Sequence, residues 1–414
     1  MNKFVLILFM GLALSCQDQK NSKKVKEDRQ TGIRDSLTRE LNQIHKLGFI
    51  NGFSVAIVDQ DSVLYQSGIG FSDMGNNTKY TENTIQNIGS VSKTLIGIAL
   101  LKAQEMGKLN LDDPINQYLP FEVINPNYPK LPLTIRHLAT HTSTILDTDF
   151  YNGKAYVLKD EQDRSSVNQE KLNEAFNPPD SRMPMIDFLE KLLSKEGEWY
   201  RKDGFATNKP GEIFEYSNVG ATLAAAILEI AVDKPYSEFT KEHILEPLGM
   251  SSSGWTFDTI DLARHSKLYS DPKTEIPLYS LITYPDGGLI TSGNNLGMYL
   301  SELIKGHSGI GTLLEKNGYE ELFREQLSAN SFPDRDEEDD YDDEYNTGIF
   351  MGFTPRGYIG HTGGDPGIAT YMFFNPETKI GRLLMINTSV SNSAGVDEFY
   401  SIWNTLAKYE NKLK

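Results

Sequence analysis

Apolar residues recur along this chain in two rhythms, and each predicts an element. Ile33, Leu37, Leu41 and Ile44 fall three or four apart, which predicts a helix over 32–47. Phe53 to Val58 and Ser62 to Tyr65 are strand-like runs flanking Asp59-Gln60-Asp61, the signature of a hairpin. Helical spacing returns at Leu95, Ile98, Ala99, Ala103 and Met106, and again from Met185 to Leu193. Thr134 is placed to cap a short helix ending near His141. Ala221 to Val232 is apolar on every side, so that helix must be buried. Strand runs reappear at Ala369–Phe374 and Arg382–Asn387, joined by a turn at Asn375-Pro376, before a last helix from Asp397 to Tyr409. Residues 147–210 are polar with little periodicity beyond the 185–193 helix, and read as a long surface excursion able to reach over a site.

Strands therefore sit at both ends and helices in the middle. Two hairpins so far apart most simply share one antiparallel sheet. The expected fold class is α+β: an antiparallel sheet flanked by helices, built from both chain ends (about 32–87 and 285–414). A helical inserted subdomain fills about 88–284. No internal repeat is visible.

The first residues read differently. Lys3 precedes the apolar run Phe4 to Leu14, which is too short to span a bilayer, and the run ends Leu12-Ala13-Leu14-Ser15-Cys16. That ending resembles a bacterial lipobox. It implies a lipoprotein-type signal peptide over 1–16, lipidation of Cys16, and membrane attachment at the cell envelope. Cys16 is the only cysteine, so no internal disulfide can form. Residues 17–31 are polar and charge-rich, as a flexible tether would be.

The 414 residues suit one large domain or two interlocked ones, here spanning 32–414. A formal net charge of −17 argues against nucleic acid as a partner. Nothing in the sequence sets an oligomeric state. The charge is densest at 334–344, with nine acidic side chains. The glycine turn of a calcium-binding loop is absent there, so a solvated acidic loop is expected.

Chemistry enters at Ile88-Gly89-Ser90-Val91-Ser92-Lys93-Thr94, a turn running into a helix. Ser90 and Lys93 are three apart and share a helical face. A Ser hydroxyl needs an adjacent base to act as a nucleophile, and a desolvated Lys can supply one. Ser-x-x-Lys is common by chance, and Ser270-Asp271-Pro272-Lys273 also matches. Pro272 disfavours a helix there, so only the first match is carried forward.

Tyr216-Ser217-Asn218 and His361-Thr362-Gly363 follow in order. The set Ser-x-x-Lys, Tyr-x-Asn and His-Thr-Gly resembles the class C β-lactamase superfamily, with its D-Ala-D-Ala carboxypeptidases, D-aminopeptidases and esterases. The stretches 107–114, 134–143, 210–218 and Gly287-Gly288-Leu289 carry the likeness further. The resemblance implies that Ser90 is acylated and Lys93 holds or takes its proton. Tyr216 is the partner base, as a phenolate favoured by nearby positive charge. Asn218 bonds an amide or the Lys. The backbone N–H groups of Ser90 and Gly364 receive the oxyanion, beside Gly363. His361 and Thr362 meet a substrate carboxylate. Sequence leaves Lys93 and Tyr216 as rival bases. His361 stands where β-lactamases usually have Lys, and neutral imidazole is a weaker carboxylate anchor. Thr144-Ile145 replaces the Gly-Leu of many relatives, which bears on the local turn.

His137 and His141 are four apart, the spacing of helical zinc ligands, but no H-E-x-x-H frame surrounds them. No metal and no cofactor is expected. His45, His243, His265 and His307 are scattered. The nucleophile elbow G-x-S-x-G is missing; Gly306 to Ile310 fails at its last position. The sequence thus points to an exported serine hydrolase of small amides or esters, D-residue peptides among them. A true β-lactamase is the enzymatic alternative. A non-catalytic lipoprotein that binds peptides or a partner is the alternative from another class.

Overall fold

The computed structural model describes residues 28–162, 176–333 and 340–414. The expected leader, Cys16 and most of the tether lie outside these residues, as do 334–339 of the acidic segment. Among the described residues no helix is long and apolar enough to cross a membrane.

The strands β1 (Gly52–Asp59), β2 (Val63–Asp73), β3 (Thr78–Lys79), β4 (Asn346–Thr347), β5 (Gly352–Phe353), β6 (Ile359–Asp365), β7 (Ile368–Asn375) and β8 (Ile380–Ile386) form one sheet. Its order is β4-β5-β6-β7-β8-β1-β2-β3, antiparallel at every junction. The central pairing of β1 with β8 joins the two chain ends, as the sequence pattern predicts. In β1 the alternation of side chains splits the core in two. Phe53, Val55 and Ile57 face one side. Ala56 and Val58 face the other.

Helix α1 (28–45) and the C-terminal helix α7 (Ser393–Leu413) cover the first side, through Leu37, Leu41, Phe399, Ile402, Trp403 and Leu406. Five further helices carry the argument: α2 (Lys93–Glu105), α3 (Ile135–Ala139), α4 (Met185–Leu193), α5 (Asn218–Val232) and α6 (Gly293–His307). α6 lies on the second face, packing against β1 and β8. α2 is buried nearly all round, packed against α5 and other helical segments, which explains its lack of a polar face. Thr134 caps α3 as expected, with His137 completing the capping box.

Two expectations need correction. The inserted region also contains strands: Tyr156–Leu158 pairs with Tyr279–Leu281, and Leu268–Asp271 with Thr274–Ile276. Each is only three or four residues long, too short to show a period. The described parts of the 147–210 stretch (147–162 and 176–210) are not a surface excursion either. Tyr151, Phe188 and Leu189 from it are buried in the main core. The second Ser-x-x-Lys match spans the tip of the Leu268–Ile276 hairpin, so its two side chains never share a helical face.

Candidate active site

Ile88 leaves the strand Ile85–Asn87, and Gly89–Ser92 makes one tight turn of 3-10 helix before α2 begins at Lys93. Gly89 has φ +57°, and a Cβ there would come 2.8 Å from the Gly364 nitrogen. Gly363 is tighter still: its Cβ would lie 2.2 Å from the Ile88 carbonyl and 3.1 Å from the Ser90 nitrogen. The end of β6 is thus pressed backbone to backbone against the Ser90 turn. Gly363 marks this close approach and not merely a break in a strand.

Ser90 remains partly exposed at the mouth of this turn, while Lys93 is fully buried. Lys93 Nζ reaches Ser90 Oγ at 3.0 Å and the Asp286 carbonyl at 2.6 Å. Burial lowers the Lys93 pKa from its ordinary value; Asp286, Asp147, Asp365 and Asp343 oppose the shift. The Asp286 carboxylate accepts from Tyr151 and Thr222, each at 2.9 Å, and burial raises its pKa to about 6.

Tyr216 closes the third side. Its ring stacks on His141 (centroids 4.5 Å apart) and lies 5.1 Å from Lys93 Nζ. Its hydroxyl is buried and completes no hydrogen bond of standard geometry among the described residues. Ser90 is near enough to favour its ionisation, but burial dominates and lifts the phenol well above its ordinary range, with Asp343, Glu344 and Asp286 adding to the rise. The expectation of a phenolate favoured by positive charge is therefore reversed: burial outweighs the Lys93 ammonium beside the ring, and the charges that add to the rise are all carboxylates.

The Asn218 amide nitrogen donates to Asp147 at 2.7 Å. The same carboxylate accepts from the backbone of Asn218 and Val219 at 3.0 and 2.9 Å. It thereby satisfies the exposed N–H groups that open α5. Asp147 comes from the stretch that carries no pattern, so sequence gave no signal for it. Thr144, nearby, adopts φ +69°, the left-handed geometry that the missing glycine would favour.

On β6, the Thr362 nitrogen and hydroxyl donate to Asp343 at 2.7 and 3.0 Å. His361 Nδ1 stands 2.5 Å from the Thr362 carbonyl and 3.1 Å from the same carboxylate. Burial lowers the His361 pKa, keeping the ring neutral near pH 7. Asp343 belongs to the segment expected to be a solvated loop, yet its side chain is only 10% exposed. For this residue the expectation fails: an acidic run gives no hint that one member turns inward. Asp365 ends β6 with one carboxylate oxygen on Tyr156 (2.5 Å) and the other buried without a hydrogen bond among the described residues. Burial raises its pKa to about 7.

Ser90, Lys93, Tyr216, His361, Gly363 and Gly364 are thus brought together from three separate stretches of chain. The beta-lactamase family model matches residues 39–407. The chain belongs to the beta-lactamase family. Family members are serine hydrolases, and the superfamily resemblance of the three motifs is accordingly shown. The chain is 24% identical over 346 residues to Protein flp of Staphylococcus aureus strain MW2, covering 82% of itself but only 60% of that relative's length. It is 24% identical over 392 residues to the putative penicillin-binding protein PbpX of Bacillus subtilis, covering 92% of this chain and 82% of the relative.

Among solved structures, the fold is similar to the octameric penicillin-binding protein homologue of Pyrococcus abyssi (TM-score 0.64, 22% identity, 91% of this chain and 76% of that one). It is also similar to the D-amino acid amidase of Ochrobactrum anthropi (TM-score 0.63, 19% identity, 91% and 99%). These likenesses establish the β-lactamase-type fold expected from the sequence. In this member, His137 and His141 are structural. The backbone N–H groups of Thr134 and Ser217 donate to their respective Nδ1 atoms. Among the described residues no three His, Cys, Asp or Glu side chains gather as a metal site.

Proposed function

We propose that the protein hydrolyses small amides or esters through an acyl-enzyme on Ser90. The carrying observation is the 3.0 Å contact between Ser90 Oγ and a fully buried Lys93. Lys93, its pKa lowered by desolvation, accepts the Ser90 proton. The Ser90 oxygen bonds to the substrate carbonyl carbon, and the carbonyl oxygen takes the negative charge. The N–H groups of Ser90 and Gly364 receive that charge, held side by side by the Gly363 close approach. The bond to the leaving nitrogen or oxygen then breaks. The leaving group gains a proton from Tyr216, which is replenished from Lys93. Water attacks the ester in a second round and restores Ser90. Lys93 is favoured over Tyr216 as base because burial lowers its pKa and raises that of the phenol.

A cleft of about 320 Å³ beside Gly364, lined by Thr362, Ala369, Tyr371 and Phe399, has room for a small apolar group. The name of the Ochrobactrum relative, an amidase of D-amino acids, supports amides with D-residues as substrates. The neutral His361 argues against efficient β-lactam hydrolysis. A protein that only bound peptides would have no use for a buried amine on a serine hydroxyl. The reading includes export, lipid attachment at Cys16, and one catalytic domain over 32–414 behind a tether. It is tested by turnover of amide and thioester substrates. Ser90→Ala should lower kcat/KM at least about 10⁴-fold; unchanged turnover would sink the proposal.

A further inference from the structure

The edge of β6 holds something a substrate was expected to bring. On β6, β5 pairs with Ile359 and Gly360 only, and beyond them β6 pairs with β7 alone. The next N–H on that edge is Thr362's, and Asp343 takes it at 2.7 Å. The Thr362 hydroxyl and His361 Nδ1 converge on the same carboxylate at 3.0 and 3.1 Å. N–H groups two residues apart point to the same edge. Gly364, which would receive the oxyanion, is therefore the next donor along. A carboxylate of the chain itself sits one strand repeat from the reacting carbonyl, on the groups that would otherwise seat a substrate carboxylate.

We propose that Asp343 is a specificity-determining residue. It selects substrates whose leaving group is uncharged or cationic and rejects those with a free carboxylate next to the scissile bond. A second carboxylate would have to displace Asp343 from Thr362 or lie against it with like charge. An ammonium or an amide N–H meets no such penalty, and the Asp343 oxygens have lone pairs to accept from it. The inference rests on the acyl-enzyme reading above.

The test is a pair of N-acyl-D-alanyl thioesters, one leaving as thioglycolate and one as its N-methylamide, followed by thiol release. Wild-type protein should favour the amide at least ten-fold in kcat/KM. Asp343→Ala should raise kcat/KM for the thioglycolate ten-fold or more and should not raise it for the amide, which loses an acceptor. Asp343→Asn, which keeps the size and loses the charge, should move the ratio the same way by a smaller factor and stands in should the alanine variant misfold. A wild-type preference for the carboxylate, or variants that shift both substrates equally, would overturn the proposal. Ser90→Ala on the same pair separates the outcomes. If it hydrolyses both as well as wild type, the acyl-enzyme reading fails, not the role of Asp343 within it alone.

Discussion

The two walls of the site are built in opposite ways. The Ser90 wall is local: nucleophile and amine are three residues apart, joined by one turn, and their geometry follows from where α2 starts. The β6 wall is assembled at a distance, with Asp343 reaching Thr362 across 19 residues, and so is the start of α5, where Asp147 reaches Asn218 across 71. The local wall carries the proposed chemistry, the distant one the proposed choice of substrate. A short motif can therefore announce the reaction while the partners that select among substrates stay unannounced.

The strongest way to break this comparison is to move one wall against the other. Gly363→Ala puts a methyl 2.2 Å from the Ile88 carbonyl, so β6 and the Ser90 turn must separate. A displacement of about 1 Å at a reacting centre costs about 100-fold in rate, and kcat/KM should fall by at least that. Gly364→Ala is the matched control, because nothing lies within 4 Å of its Cβ. It should fold with an unchanged melting temperature and lose far less activity. Equal losses in both variants would show that the close approach is not what positions Ser90.

A smaller effect separates chemistry from stability on the β6 wall. The Asp365 pKa is raised to about 7 from an ordinary 3.8, mainly by burial. The folded chain then holds a proton that the unfolded chain has lost, so this group lowers stability as pH rises from about 4 to about 7. Asp365→Asn mimics the protonated form and keeps an acceptor for Tyr156. Its advantage over wild type should grow across that window and level off above it, at about 2–4 kcal/mol. Melting curves taken every pH unit from 4 to 9 check this. Parallel curves for the two proteins would contradict it.

What the sequence shows and what it hides follow the same division. The β1–β2 hairpin, the buried α5 and the sheet joining both ends were legible because each rests on a local rhythm or turn. Ser90 with Lys93 was legible for the same reason, and Pro272 correctly removed the competing match. Asp147 and Asp343 were not, because any carboxylate in a polar stretch looks alike until packing turns one inward. Tyr216 was placed correctly but its ionisation was not. A phenol's pKa depends on its burial and on the charges around it, and here burial comes first, with Asp343, Glu344 and Asp286 adding to it.

The account stands most directly on the mass of the protein after exposure to a fluorophosphonate. Wild-type chain beyond Cys16 should gain one phosphonyl group on Ser90, and Ser90→Ala should gain none. A lasting penicillin adduct at the same residue would place the specificity with the peptidases. Folded wild-type protein that takes up neither reagent, or a Ser90→Ala variant labelled to the same extent, would contradict the central claim that Ser90 is the activated nucleophile.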